Sequence, residues 1–201
     1  MRKSVDEARR TRDRIVSTAV MQASSSGLSG LTIGSLAEAL GMSKAGVVGP
    51  FGSRAELQLA ALTRAVEMFV EAVVTPGLGA DPGAARLNAV IDRWCDYLAD
   101  SPFPNGCFVT AASCELDGRP GELRSYLRRT VVRWRAFLRE QIVVAQAAGD
   151  IGAGVGTGVD ADGLVSGLIG IAMAANQEIQ LLDDDTAAER ARGLMHAVVR
   201  P

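Results

Sequence analysis

The sequence is poor in the residues that build metal sites and nucleophilic catalytic sites. Its 201 residues include a single histidine, His196, and three cysteines, with no Cys-x-x-Cys pair. This set cannot supply the usual ligand combinations for a metal, so we expect no metal and no other cofactor. Cys107 could act as a nucleophile only beside a base and an orienting acid, and no such arrangement is evident. We therefore expect that the chain is not an enzyme.

Long apolar runs and strand patterns are also missing. The longest nearly apolar stretch, Leu164 to Ala175, is well short of the ~20 residues that a membrane-spanning helix needs. The odd number of cysteines and the lack of a secretory signal favour free thiols in a reducing compartment. We expect a cytoplasmic protein with no membrane partner. The short β-branched runs fall inside helical periods, which predicts an all-α fold.

Charge is distributed unevenly, although the net charge is only −2. Residues 1–54 carry +4, and the remainder of the chain carries −6. A basic N-terminal quarter on an acidic body is typical of a DNA-binding head on a body that does not bind DNA. A solvated charged helix would give the same pattern, so charge alone does not decide between the two interpretations.

Two short, capped helices are predicted between residues 32 and 50. Thr32 is a suitable N-cap, and Gly41 follows the last apolar residue, where a left-handed turn ends a helix with least strain. Ser43 can cap the second helix two residues later. Two short helices joined by a glycine-containing turn are the geometry of helix-turn-helix DNA binders. Helix pairs of this kind also occur as plain packing units.

Hydrophobic periodicity predicts about nine helices in all. Between them we expect a partly ordered basic arm over residues 1–11, a loop over 24–30 and a flexible glycine-rich segment over 149–159. Capping boxes are predicted at Ser53–Glu56, before a long helix, and at Thr186–Glu189, before the last one.

The helix order and the residues within it resemble the TetR family of transcriptional repressors. The likeness rests on Arg12-Asp-Arg-Ile-Val, Leu31-Thr-Ile-Gly-Ser-Leu-Ala-Glu-Ala-Leu-Gly-Met-Ser-Lys and Phe51-Gly-Ser-Arg-Ala-Glu-Leu. It implies a three-helix DNA-binding head, residues 1–53, and a helical ligand-binding and dimerisation body, residues 54–201. It further implies a homodimer, formed through the last two helices, that binds double-stranded operator DNA and is released by a small-molecule effector.

The resemblance also implies which residues contact DNA. The matching positions are Arg12, Thr32, Ser43, Lys44, Ala45, Gly46, Val48 and Arg54. The sequence departs from the family at Val48-Gly49-Pro50, where an aromatic pair and a histidine are usual. Gly46 and Gly49 each cost about 1 kcal/mol of helix propensity, so we expect a short recognition helix. The alternative function is a TetR-like ligand-binding protein whose degenerate head no longer binds DNA.

Large and polar side chains in the body are candidates for a ligand site. Aromatic residues at helical spacing form plain core more often than a ligand site, and it is the family resemblance that favours a site here. The candidate ligand residues are Trp94, Tyr97, Leu98, Phe103, Phe108, Thr110, Met173, Asn176 and Gln177. A mostly apolar wall with few polar groups suits an apolar or aromatic small molecule.

Two further patterns have competing interpretations. Small residues recur along one side of the eighth predicted helix, which indicates either a self-association face or close packing within the protomer; they are Gly163, Gly167, Gly170 and Ala174. Cys107 and Cys114 are seven residues apart and are expected to share a helix face. We expect both to be buried as small hydrophobic residues, with a redox switch as the alternative.

Overall fold

The computed structural model describes residues 2–151 and 160–200, and it is all-helical over those residues. In chain order, the helices are α1 (Arg2–Gly30), α2 (Ile33–Leu40), α3 (Lys44–Val48), α4 (Arg54–Phe69), α5 (Ala84–Ala99), α6 (Phe108–Leu116), α7 (Glu122–Ala148), α8 (Ala161–Leu182) and α9 (Ala187–Val198). A π-helical segment, Val70–Val74, and a short turn, Thr75–Gly77, follow α4 directly. The predicted all-α class with about nine helices is confirmed.

The chain divides into two compact units that alternate along the sequence. The first unit contains Met1–Glu67 and Phe103–Leu127, and the second contains Met68–Pro102 and Arg128–Pro201. Helix α6 therefore belongs to the same unit as α1, α2 and α3, while α4 and α7 each contribute residues to both units. The division by compactness differs from the predicted functional boundary between residues 53 and 54, which stays a prediction.

The core of the first unit begins with the apolar face of α1. The predicted face is buried as expected: Ile15, Val16, Ala19, Val20 and Ala23. Leu36 of α2, Val47 of α3 and Leu57 of α4 are buried within the same unit. The three-helix arrangement thus follows directly from the 3.6-residue period of its apolar residues.

Helix α1 is longer at both ends than the composition indicated. The predicted arm over residues 1–11 is helical from Arg2, and the predicted loop over 24–30 continues the helix to a kink at Gly27. Ser25 and Ser26 stay in the helix, and their hydroxyls donate to the carbonyls of Met21 and Gln22, one turn earlier. The run of small polar residues was thus a misleading loop signal.

The second unit is organised around rows of buried apolar residues on its longer helices. On α5 the predicted inward row is buried: Leu87, Val90, Ile91, Trp94 and Leu98. On α7 the buried positions in this unit include Leu138, Ile142 and Ala145. Arg192 of α9 joins α9 to α5, since its guanidinium donates to Asp92 at 3.0 Å and to Asp96 at 2.8 Å.

The predicted capping box at Thr186–Glu189 is wrong. Thr186 makes no side-chain cap on α9; its hydroxyl donates to Asp184 at 2.6 Å, and its backbone N–H donates to the same carboxylate at 2.9 Å. The Thr186 hydroxyl bond, with help from Arg190, lowers the pKa of Asp184 to about 2. At the other predicted box, Ser53 accepts the N–H of Glu56 as expected, at 3.1 Å.

The π-helical segment after α4 has a local cause. Pro76 has no N–H, and its ring would clash with the carbonyl of Ala72 in a regular α-helix. A wider π turn relieves that clash, and the N–H of Thr75 donates to the carbonyl of Val70, five residues back. Phe69, Val73 and Gly77 remain buried along this stretch.

Three further sequence expectations concern a flexible segment, a membrane-spanning helix and a metal site. Residues 152–159 of the predicted flexible segment lie outside the described residues. Within the part of the chain that the structure describes, no helix is long and apolar enough to cross a membrane. The same residues contain no group of three or more His, Cys, Asp or Glu side chains that could hold a metal ion.

Candidate functional site

Helices α2 and α3 form the predicted helix-turn-helix. Thr32 caps α2, because its hydroxyl accepts the N–H of Ser35 at 3.0 Å. Gly41 ends α2 in the left-handed conformation, with φ of 62°. Ser43 caps α3 by accepting the N–H of Gly46 at 3.0 Å. Each cap was predicted from the sequence, and together they define a turn of three residues between the two helices.

The second helix of this pair is short. Helix α3 has five residues, Lys44–Val48, as its glycines and the following proline predicted. Its one buried residue is Val47, while Lys44 and Ala45 are exposed, and Gly46 and Val48 are partly exposed. The side chains predicted to reach DNA are therefore accessible, and the residue between them anchors α3 to the core.

Arg12 and Thr32, both predicted to contact DNA, already make contacts within the chain. The Arg12 guanidinium stacks on the ring of Phe51, 5.0 Å from its centroid, and Arg12 as a whole is exposed. The Thr32 hydroxyl is occupied by the cap on Ser35. The stacking keeps the Arg12 charge at the surface beside the corner that joins α3 to α4.

Arg54 has an intramolecular role that the sequence did not reveal. Its Nε donates to the carbonyl of Leu31 at 2.9 Å, and its Nη2 donates to the carbonyl of Ser29 at 2.5 Å. A guanidinium has five N–H donors, so these two bonds do not exhaust it. The predicted phosphate contact of Arg54 remains a prediction, beside an observed role in holding the connection between α1 and α2.

Glu115 is a polar residue of this unit that sequence reasoning missed. Its carboxylate accepts the backbone N–H of Leu28 at 2.8 Å and that of Ser29 at 2.7 Å, and the Ser29 hydroxyl also donates to it. Burial alone would raise the pKa of Glu115, but these hydrogen bonds, first that of the Ser29 hydroxyl, outweigh it and lower the pKa. Glu115 is the one charged residue of α6, which was the only available signal, and its partners lie more than 80 residues earlier.

The second unit contains a cluster of five aromatic side chains. Phe69 makes edge-to-face contacts with three of them, at centroid distances of 6.4 Å to Trp94, 5.3 Å to Tyr97 and 5.2 Å to Trp134. Trp94 and Trp134 also meet edge to face at 5.1 Å, and Phe137 stacks on Trp134 at 5.7 Å. Trp94 and Tyr97 are buried, whereas Trp134 and Phe137 are partly exposed, so one side of the cluster reaches the surface of the unit.

The nine predicted ligand residues do not fall in one unit. Trp94, Tyr97 and Leu98 lie in the second unit, and the first two belong to the aromatic cluster. Phe103, Phe108 and Thr110 lie in the first unit, where the rings of Phe103 and Phe108 meet at 5.6 Å. On α8, Met173 and Gln177 are exposed and Asn176 is partly exposed. Phe69, Trp134 and Phe137 complete the cluster but were not among the predicted ligand residues.

Comparison with known proteins adds independent evidence to this geometry. Residues 83–195 match the family model described as "Tetracyclin repressor-like, C-terminal domain", which is more than half of the chain. The chain belongs to the TetR family. This match lies in the C-terminal part, whereas the sequence resemblance rested on residues 12–62, so two different stretches indicate the same family.

Solved structures of TetR-family regulators are similar over nearly the whole chain. One from Chloroflexus aurantiacus has a TM-score of 0.85 at 28% identity, covering 100% of this chain and 99% of that one. One from Cytophaga hutchinsonii has a TM-score of 0.80 at 15% identity, covering 96% of each chain. AibR, solved in complex with isovaleryl coenzyme A and operator DNA, has a TM-score of 0.75 at 20% identity, covering 95% and 98%. No curated protein matches the chain by sequence.

In this TetR-family chain, α8 and α9 carry an exposed apolar face. Met173 is 43% exposed, Leu181 70% and Leu194 50%. A Cβ placed at Gly170 or Gly193 would meet no atom within 4 Å. Close packing within the protomer therefore does not explain the glycines at these two positions, whereas a Cβ at Gly167 would lie 3.9 Å from Cγ1 of Val198 on α9. Self-association and close packing both stay interpretations of the glycine pattern on α8.

The three cysteines have different environments. Burial raises the pKa of the Cys95 thiol to about 11, so Cys95 is a poor nucleophile. Cys107 is buried as predicted, but the expected burial of Cys114 is wrong, because Cys114 is exposed. The helical spacing failed because Cys107 is not helical: it is the N-cap of α6, in extended conformation, and the two residues do not share a helix face.

Proposed function

We propose that the chain is a DNA-binding transcriptional repressor that acts in the cytoplasm and is released from its operator by a small apolar or aromatic molecule. The observation that carries this proposal is the capped helix-turn-helix whose second helix exposes Lys44 and Ala45. In this proposal residues 1–53 contact DNA, and residues 54–201 bind the effector and a second copy of the chain. The proposed role is regulatory and involves no catalytic step.

DNA contacts in the proposal are distributed between phosphates and bases. Ser43, Lys44 and Arg12 would meet phosphates, while Ala45 and Val48 would contact thymine methyl groups in the major groove. Since Val48 and Pro50 cannot donate hydrogen bonds to phosphates, the binding free energy would depend strongly on Lys44 and the N-terminal arginines. AibR, whose structure contains operator DNA, supports this use of the fold.

Binding to DNA fragments that flank the gene of this protein tests the proposal. We expect fluorescence anisotropy to show salt-dependent binding, with Lys44→Ala weakening it and lowering the slope of log K against log salt by about one. Arg133→Ala is the matched control, because it removes an exposed positive charge from α7 and should leave the affinity unchanged. Absent or salt-insensitive binding by the wild type would instead support the degenerate-head alternative.

That alternative has a specific structural basis. Helix α3 is only five residues long, and Gly49 and Pro50 end it where the family usually carries side chains that grip the backbone. A TetR-like protein that binds a ligand without binding DNA would retain the aromatic cluster and the exposed face of α8 and α9. The two functions therefore predict different results for DNA binding and the same results for ligand binding and self-association.

The aromatic cluster is the surface that we propose binds the effector. Edge-to-face rings with a partly exposed side provide an apolar wall suited to an aromatic or acyl group. Both tryptophans of the chain, Trp94 and Trp134, belong to the cluster. Intrinsic fluorescence should therefore report binding directly: a panel of aromatic and short acyl compounds should include one that shifts the emission of the wild type but not of Trp134→Ala.

We further propose that two copies associate through α8 and α9. Their exposed leucines, methionine and open glycines would be covered in such a dimer, and a two-fold axis would present two helix-turn-helix units to one operator. Sedimentation of the wild type should give a dimer at micromolar concentration, and Leu194→Asp should give a monomer. Val132→Asp, at an exposed valine of α7, is the matched control and should remain dimeric.

A further inference from the structure

Glu115 of α6 holds the kinked end of α1 from one side. Its two carboxylate oxygens accept the consecutive backbone N–H groups of Leu28 and Ser29, at 2.8 and 2.7 Å, together with the Ser29 hydroxyl. Arg119, one turn later, donates to the Ser29 hydroxyl and lies 3.8 Å from the Glu115 carboxylate. We call these four residues the Glu115 clasp.

Helix α4 holds the same segment from its carbonyl side. Gln58 donates to the carbonyl of Leu28 at 2.5 Å, and Arg54 donates to the carbonyls of Ser29 and Leu31. The N–H groups of residues 28 and 29 thus go to α6, and their carbonyls go to α4. Two elements from distant parts of the sequence thus bond to both backbone N–H groups and both carbonyls of this dipeptide, and the Leu28 carbonyl also accepts the N–H of Leu31 at 3.3 Å.

The kink itself is shaped to the clasp. Gly27 adopts φ of 75° and ψ of 162°, a conformation that side chains strongly disfavour. A Cβ at Gly27 would lie 2.9 Å from Oε2 of Glu115, so no larger residue fits without moving the carboxylate. The kinked segment ends at Gly30, and only Leu31 and the cap Thr32 separate it from α2. The backbone geometry of the kink, which the clasp holds, therefore determines where the helix-turn-helix begins.

Helix α6 also has a distinctive place in the chain. It lies in the segment Phe103–Leu127, which belongs to the first unit while the residues before and after it belong to the second. The clasp binds this segment to the kink of α1, and Asn105 of the same segment bonds to Ser24 and Ser25 just before the kink.

We propose that Glu115 is a positioning residue: its carboxylate fixes the geometry of the Gly27 kink and thereby raises the affinity of the helix-turn-helix for DNA. This inference rests on the proposed DNA-binding function. Release of the clasp leaves the connection between α1 and α2 less ordered, so DNA binding must then supply the ordering free energy. Glu115 acts through the backbone of Leu28 and Ser29 and does not itself touch DNA.

The test compares Glu115→Gln, Ser29→Ala and their double variant with the wild type and with Glu122→Gln. Glu122 is an exposed carboxylate of the same unit, so its variant makes the same change in charge outside the clasp. DNA affinity is measured well below the thermal unfolding midpoint of each variant, so that every variant is folded. Amide hydrogen exchange of Leu28 and Ser29 is measured in the absence of DNA.

We expect Glu115→Gln to bind flanking DNA about tenfold more weakly, as expected for the loss of a charge-assisted hydrogen bond. The loss of DNA affinity in the double variant should be smaller than the product of the two single losses, because both changes remove the same contact. The amides of Leu28 and Ser29 should exchange faster in Glu115→Gln and stay protected in Glu122→Gln. A purely structural role would lower stability and leave the affinity of the folded protein unchanged.

Each contrary outcome points to a different failure. No DNA binding by the wild type would overturn the proposed function and this inference with it. Wild-type binding that Glu115→Gln and Ser29→Ala leave unchanged would overturn the inference alone, as would equal weakening by Glu122→Gln. If Glu115→Gln does not fold, Ser29→Ala decides the matter, since it removes one hydroxyl and leaves the backbone donors in place.

Discussion

The two compact units use their polar side chains in different ways. In the first unit they bond mainly to the backbone: Thr32 and Ser43 cap helices, Arg54 binds carbonyls, and Glu115 binds N–H groups. In the second unit the recurrent polar contacts join charged side chains to each other, as in Arg190 with Asp184 at 2.6 Å and Arg139 with Asp162 at 3.3 Å.

This difference shows how each unit is specified. Hydrogen bonds from side chains to the backbone fix the path of the chain. Single side chains therefore determine where the short helices of the first unit begin and end. Exposed ion pairs contribute little, about 0–1 kcal/mol each, so the longer helices of the second unit depend on buried apolar rows. Substitutions that break packing and substitutions that break caps should therefore separate the two units by the size of their effects.

The largest effect is expected in the second unit. Trp94→Ala removes a buried ring that contacts Phe69 and Trp134, and it should lower the free energy of unfolding by about 3–5 kcal/mol. Urea unfolding followed by circular dichroism measures this. Val132→Ala on α7, at a side chain that is half exposed, should change stability by less than about 0.5 kcal/mol. Equal effects of the two variants would contradict the packing account.

A smaller effect is expected at the end of α2. Gly41→Ala places a side chain in the left-handed conformation at φ of 62°, which should cost about 1–2 kcal/mol of folding free energy. Thermal unfolding measures the change. Gly118→Ala serves as the control, because Gly118 does not have a positive φ and a Cβ there meets no neighbour. A loss of stability as large as that of Gly41→Ala at Gly118 would refute the assignment.

Two threonines provide a finer comparison of the caps themselves. Thr32→Ala removes the oxygen that accepts the N–H of Ser35 and should cost about 1 kcal/mol. Thr186→Ala removes a hydroxyl that caps nothing on α9, donates to partly exposed Asp184 and accepts a 3.3 Å bond from exposed Arg190, so it should cost less than half as much. Urea midpoints of the two variants measure the difference, and a reversed order would restore the predicted capping box at Thr186.

The smallest effect concerns pH. Because hydrogen bonds lower the pKa of Glu115 in the folded chain, its ionised carboxylate stabilises the fold above the ordinary pKa of 4.5. That contribution is lost as pH falls through the lowered value in the folded state. The difference in unfolding free energy between wild type and Glu115→Gln should therefore be constant near neutral pH and shrink on acidification. A difference that grows in acid would contradict the clasp geometry.

Local signals predicted the first three helices well. Thr32, Gly41 and Ser43 each act within three residues of their own position, so their roles follow from short-range rules. Apolar periodicity likewise predicted the buried faces of α1 and α5. The loop expected over residues 24–30 was wrong: Ser25 and Ser26 stay helical, with hydroxyls bonded to the preceding turn, and composition does not distinguish this state from a loop.

Contacts between distant residues could not be predicted in the same way. Nothing near Glu115 in the sequence indicates that it binds Leu28 and Ser29, and nothing near Arg54 indicates that its guanidinium binds Ser29 and Leu31. The aromatic cluster joins residues of three helices, of which only Trp94 and Tyr97 were predicted ligand residues. These pairings exist only once the helices have packed.

The π-helical segment constrains how many residues separate Phe69 from Gly77, as well as which residues they are. Four residues turn an α-helix by about 400°, so a row such as Phe69, Val73 and Gly77 drifts by about 40° at each step. The wider turn at Val70–Val74 reduces that drift, and all three residues stay buried. Exchanging one valine for another apolar residue would preserve this phase. A deletion of one residue would shift it by about 100° and turn Gly77 away from its contact with Val90.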